Sequence, residues 1–208
     1  MLNELINRYP SLCDCKEDIK KAVDAIIDCY EKGGKLLLCG NGGSCADCEH
    51  IVGELMKGFL KKRPLDGSKM EEMKRNCNLV NDEMLEKLQG GLPAIAIPSI
   101  TALNSAFCND VDPELVYAQP LMSLAKENDI LIGISTSGNS KNVFGAVKVA
   151  KALGIKVIGL TGKTGGKLKD TADICICAPE TETFKIQELH LPNYHYLCAA
   201  VEEHFFAE

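Results

Sequence analysis

His50 and Glu54 stand four residues apart, just after a stretch that packs three glycines, an asparagine and a serine into "GNGGS" at 40–44. That spacing puts an imidazole and a carboxylate on one face of a helix. Near the C-terminus, "IQELHLPNYHYL" adds Gln187, Glu188, His190 and His195, with Gln187 and His195 about two helical turns apart. Two imidazoles, a carboxylate and an amide could hold a divalent metal, because zinc accepts both nitrogen and carboxylate oxygen. The same groups could instead do acid–base chemistry with no metal. Spacing alone leaves both open. Pro192 has no N–H and its ring meets the carbonyl of Glu188, so a kink is expected between Gln187 and His195.

Two polar loops adjoin these groups. Asn41, Gly42, Gly43 and Ser44 follow the apolar run "KLLLC" (35–39) and lead into a helix from Ser44 or Cys45 to about Phe59. Glycine lets backbone N–H groups approach a ligand, and a helix N-terminus adds partial positive charge. The second loop, "STSGNS" at 135–140, gathers the hydroxyls of Ser135, Thr136, Ser137 and Ser140 where a strand ends and a helix begins. One cap needs one such residue; four hydroxyls and Asn139 point to an anion held by hydroxyls and backbone amides. "GLTGKTGGK" fails as a nucleotide loop, because Val157 occupies the position of the required first glycine. Lys163 and Lys167 read as a solvated loop.

The elements that must position these groups alternate. Short apolar runs at 35–39, 94–97, 129–134, 156–160 and 173–178 read as buried strands. Helical spacing fills 17–32, 141–154 and most of 183–206. The pattern predicts an α/β chain: a doubly wound, mostly parallel five-stranded sheet with helices on both faces, a flavodoxin-like three-layer sandwich. Such sheets bind ligands at the carboxyl ends of their strands, where both polar loops fall. The reading is one domain over 1–208, carrying a helical or loop insertion at about 61–91.

Bulk composition narrows the partners. The 208 residues are 46% hydrophobic and 25% charged, ordinary for a globular chain, and the net charge of −6 argues against nucleic acid or an anionic membrane as the main partner. The N-terminus lacks a secretory pattern and no apolar run approaches a membrane span, so a cytoplasmic location is expected. Eleven cysteines are scattered, and "CADC" at 45–48 has no second CxxC to pair with. They read as small buried thiols in a reducing compartment rather than a zinc or redox site.

"LLCGNGGSCADCEHIVGEL", "ND" at 109–110, "DILIGISTSGNSKNV", "KVIGLTGKTGGK", "TADI" and "IQELH" followed by His195 recur in order. Together they resemble the sugar isomerase (SIS) family, and within it the bacterial phosphoheptose isomerases, over nearly the whole chain except 61–91. The resemblance implies interconversion of sedoheptulose 7-phosphate and D-glycero-D-manno-heptose 7-phosphate through an enediol. It implies a homotetramer with active sites at subunit interfaces, and one Zn2+ per subunit on His50, Glu54, Gln187 and His195. Substrate would be held by Asn41, Gly42, Gly43, Ser44, Glu54, Asn109, Asp110, Ser135, Thr136, Ser137, Ser140 and Gln187. Glu54 would be the base on carbon and His195 the acid or base on oxygen, the two donated by different copies of the chain. Phe184-Lys185 depart from the family's Asp-Arg before "IQE". Two alternatives remain: a non-catalytic phosphosugar-binding module acting as regulator or assembly partner, and a relative acting on N-acetylmuramic acid 6-phosphate or a similar amino sugar.

Overall fold

The computed structural model describes residues 1–207. In chain order the elements are α1 (Leu2–Arg8), α2 (Lys16–Glu31), β1 (Leu36–Gly40), α3 (Gly43–Met56), α4 (Gly67–Asn76), α5 (Asp82–Leu85), β2 (Ala94–Ala96) and α6 (Thr101–Asp110). They continue as α7 (Ala118–Leu124), β3 (Ile130–Ile134), α8 (Lys141–Ala152), β4 (Lys156–Thr161), α9 (Gly166–Thr171), β5 (Ile174–Cys177) and α10 (Thr183–Phe206). All strand pairs are parallel, in the order β2-β1-β3-β4-β5. That is the expected doubly wound sheet, and its winding reverses between β1 and β3.

Strand periodicity sorts the core into two layers. Leu36 and Leu38 of β1, with Ile130, Ile132 and Ile134 of β3, meet α2, α3 and α10 on one face. Leu37, Cys39 and Leu131 point the other way, toward α7, α8 and α9. The helices α3 and α10 therefore share a face, and this sets the catalytic candidates side by side.

The expected insertion is a closed excursion. Pro64 and Gln89 form an isolated antiparallel bridge, and the Gly90 N–H donates to the Arg63 carbonyl. Between them lie α4, which buries no residue, and α5, which buries Leu85. The N-terminal helix α1 and the 3-10 segment Pro10–Cys15 are additions to the sequence reading. Leu2, Leu5, Ile6 and Tyr9 were its available signal, a helical spacing that packs on the α2/α10 layer. All eleven cysteines are free, and Cys48 is fully buried inside α3. Pro192 does not end α10, which runs unbroken through it. Asn193 Nδ2 donates to the Leu189 carbonyl 3.0 Å away, one residue beyond the Glu188 carbonyl that faces the proline ring.

Candidate active site

The loop after β1 turns on Gly42, whose φ of +56° is the left-handed conformation that favours glycine. Asn41 faces α8: its Nδ2 donates to Asn142 Oδ1 (2.8 Å), and Asn142 Nδ2 returns a bond to Asn41 Oδ1 (2.9 Å). The Tyr117 hydroxyl lies 2.9 Å from the Gly40 carbonyl oxygen and 3.0 Å from Asn41 Oδ1. These contacts tie the loop after β1 to the N-terminal ends of α7 and α8. Asn142 and Tyr117 were not among the sequence candidates. Asn142 lies in the first turn of α8 and Tyr117 at the N-cap of α7, where nothing in spacing marks them.

The loop after β3 folds around its own hydroxyls. Ser135 Oγ and Ser140 Oγ are 3.0 Å apart, and the Ser140 N–H reaches Ser135 Oγ at 3.4 Å. The Asn139 N–H donates to Ser137 Oγ (3.1 Å). Gly138 has φ +65°, and a Cβ there would strike the Gly165 carbonyl oxygen. The glycine-rich segment after β4 is thus the back wall of this loop: the Lys167 N–H donates to Asn139 Oδ1 (3.1 Å). Thr136 and Ser140 are half-buried and Ser137 is exposed, so the hydroxyl face meets solvent.

The acid–base groups lie on the flank of α3 and α10. His50 Nε2 is 3.1 Å from Glu54 Oε1, as the i, i+4 spacing predicts. His195 Nε2 is 3.4 Å from His50 Nε2, and the two rings meet edge to face with centroids 4.9 Å apart. Glu54 and His195 were expected from different copies of the chain. Here they converge on His50 within one chain, because α3 and α10 pack together on the same face of the sheet. Burial lowers the His195 pKa, the neighbouring His50 lowers it further, and Glu54 opposes both. These effects together disfavour the charged form of His195.

A buried ion pair fixes the end of α3. The Arg63 side chain is fully buried, with Nε donating to Glu202 Oε1 at 2.8 Å. Its Nη1 donates to the Leu55 carbonyl (2.6 Å) and its Nη2 to the Glu54 carbonyl (3.1 Å). Glu202 also accepts the backbone N–H groups of Phe59, Leu60 and Lys61. The backbone carrying Glu54 is thus anchored to α10 from below.

Other candidates sit apart. The Gln187 amide lies against Gly43, where an added Cβ would come within 2.5 Å of Nε2. That is seven residues before His50, about 10 Å along α3. His190 faces the sheet, its Nε2–H donating to the Thr161 carbonyl (3.2 Å), and burial pushes its pKa down to about 4. Asn109 and Asp110 end α6, exposed and bonded to each other (2.8 Å). Phe184 is exposed, and the Lys185 ammonium donates to Glu182 (2.6 Å). Among the described residues, no group of three or more His, Cys, Asp or Glu forms a preformed metal site. In kind, the donors of His50, Glu54 and His195 fit zinc: two imidazoles and a carboxylate, with His50 Nε2 close to both partners. Gln187, expected as a fourth ligand, lies against the glycine loop.

Comparison with known proteins adds an independent line. Two family models, both described as SIS domain, match residues 11–95 and 104–196. A phosphoheptose isomerase of Helicobacter pylori (strain P12) is 37% identical over 195 residues, spanning 94% of this chain and 88% of its own. One from Aneurinibacillus thermoaerophilus is 38% identical over 188 residues, spanning 90% and 82%. Among solved structures, a phosphoheptose isomerase from Francisella tularensis superposes with a TM-score of 0.74 at 30% identity, covering 97% of this chain and 98% of that one. That from Neisseria gonorrhoeae gives 0.70 at 28% identity, with the same coverage.

Proposed function

This chain belongs to the SIS domain family and, within it, to the phosphoheptose isomerases, and we propose that it interconverts sedoheptulose 7-phosphate and D-glycero-D-manno-heptose 7-phosphate. The observation that carries the chemistry is the convergence of Glu54, His50 and His195 on one flank of an anion cradle. A mere sugar-phosphate holder has no use for that trio.

Moving a carbonyl from C2 to C1 takes a proton from C1 and returns one to C2. The Glu54 carboxylate removes the C1 proton, and the C–H electron pair becomes the C1–C2 double bond. His195 gives a proton to O2, so the intermediate is an enediol; in the second half it takes the O1 proton as the C1=O bond forms. The same carboxylate then delivers a proton to C2. A neutral imidazole suits this exchange, because one nitrogen gives while the other receives. The hydroxyls of Ser135, Thr136, Ser137 and Ser140 hold the phosphate with backbone N–H groups. Asn41, Gly42, Gly43, Ser44 and Gln187 line the sugar's path between them, with Asn109 and Asp110 as further contacts.

One Zn2+ is part of the proposal, held by His50, Glu54 and His195, with Gln187 as fourth ligand once its amide leaves Gly43. Bound there, it would supply Lewis-acid stabilisation of charge on the enediol oxygens. A homotetramer, working in the cytoplasm, completes the reading.

The test is turnover across seven-, six- and five-carbon sugar phosphates, before and after chelation and zinc re-addition. Sedoheptulose 7-phosphate should give the highest kcat/KM. Glu54→Gln should lower kcat by about 10²–10⁴-fold while phosphate still binds, the span of a lost general base. A protein that turns over no ketose phosphate would leave only the binding-module reading.

A further inference from the structure

β5 carries two cysteines that the proposed chemistry does not use. Cys175 and Cys177 are two apart in an extended strand, so their side chains share one face of the sheet. Their sulfurs are 3.8 Å apart. β5 is an edge strand and both residues are half-buried, so solute can reach the pair. Room for it comes from the next strand. Cys175 is in register with Gly159 of β4, where an added Cβ would come within 3.1 Å of the Cys175 sulfur and 2.8 Å of Leu168 Cγ on α9. The thiols thus lie in the α9 layer, on the opposite side of the sheet from α3 and α10.

The separation of the sulfurs selects among the things a dithiol can do. Two sulfur ligands on one tetrahedral metal, each at a distance of about 2.3 Å, stand about 3.8 Å from each other. A disulfide fits less well: same-face neighbours along one strand are about 6.6 Å apart at Cα, the far end of the range that a disulfide spans. A third thiol adjoins the pair but is already engaged, since Cys15 Sγ–H donates to the Cys177 carbonyl at 2.9 Å. We propose that Cys175 and Cys177 together clamp one soft, thiophilic metal ion of the zinc or cadmium kind at the edge of the sheet. Each thiol loses its proton to solvent as its sulfur bonds the metal. Solvent fills the coordination positions that two sulfurs leave.

Sulfur ligands favour soft ions over magnesium or calcium, which prefer oxygen. The clamp is separate from the acid–base groups, because His50, Glu54 and His195 are carried by α3 and α10 across the sheet. Spacing alone marks CxxC pairs as metal sites. Here the two-residue period of a strand brings the sulfurs together instead.

Cadmium is the probe, because a cadmium–thiolate bond absorbs in the ultraviolet by charge transfer. An ion on His50, Glu54 and His195 has no sulfur ligand and gives no such band. The full chain is stripped with a chelator, reduced with a phosphine and titrated with Cd2+. Wild type should develop the band with one equivalent. Cys175→Ser and Cys177→Ser should each weaken that binding by more than the roughly 10–100-fold that loss of a ligand's supporting partner costs. Cys15→Ser and His50→Asn should keep the band. Its absence from wild type would overturn the proposal. So would a band that persists undiminished in Cys175→Ser and Cys177→Ser, or one that disappears in Cys15→Ser or His50→Asn. The readout is metal binding alone, so it decides the point whether or not the protein isomerises a sugar phosphate.

Discussion

The Arg63–Glu202 pair is the point where a remote change should be felt at the Glu54 carboxylate. Glu202→Gln keeps the shape of the side chain and removes its charge. Glu202 accepts the Phe59 N–H and Arg63 Nε–H at one oxygen, and the Leu60 and Lys61 N–H groups at the other. An amide nitrogen in either place faces donors with another donor and leaves the guanidinium buried without its counter-charge. Removing one partner of a buried pair costs about 3–5 kcal/mol. At about 2–4 °C per kcal/mol for a chain of this length, thermal unfolding at pH 7 should fall by roughly 10 °C. Arg63 also anchors the Glu54 carbonyl, so kcat should drop by roughly 10–100-fold, as expected when a reacting group loses its placement. Acid should close the gap. Burial pushes the Glu202 pKa up, but the backbone N–H groups of Phe59 and Leu60, with Arg63, hold it below the usual carboxylate value. The charge-dependent stabilisation is complete above an unfolded pKa of about 4.3 and is lost as pH falls through the lower folded value. Melting of both proteins by circular dichroism from pH 7 to 3 checks this. A variant that melts within about 1 °C of wild type at pH 7, or a gap that widens in acid, would refute the reasoning.

Two further expectations follow from single positions. Gly138→Ala puts a Cβ into the Gly165 carbonyl at φ +65°, so the hydroxyl loop must move; inhibition by inorganic phosphate should weaken at least tenfold, while Gly53→Ala, with open space at its Cβ, should leave it unchanged. His190 is held neutral down to about pH 4, by burial. The unfolded chain takes up that proton near pH 6.5, so stability from this group is lost as pH falls from about 6.5 toward 4. His190→Gln should therefore flatten the melting curve in that window, and an equally steep variant would exclude the role.

What could be read from the residues and what could not divide along a physical line. Spacing within an element is fixed by the element. His50 and Glu54 meet because four residues make about one helical turn, and the strand alternation places Leu36 and Leu37 on opposite faces whatever the rest of the chain does. Loop composition is nearly as local: "GNGGS" and "STSGNS" form polar turns at strand ends, where a parallel sheet opens to ligands. Spacing between elements is set by packing. Glu202 and Arg63 are 139 positions apart, Tyr194 and Asp47 are 147 apart, and Asn41 and Asn142 are 101 apart. Each pair depends on how α10 lies on α3, or α8 beside β1. The same cause sets where Gln187 lies. Helical spacing put it within reach of a site shared with His195, but α10 lies along α3 so that Gln187 meets Gly43 while His195 meets His50. Two helices aligned in that way match their residues in parallel, a turn of one against a turn of the other. A helix-to-helix pairing brings Glu54, His50 and His195 together within one chain, and the same alignment holds the amide at 187 against Gly43.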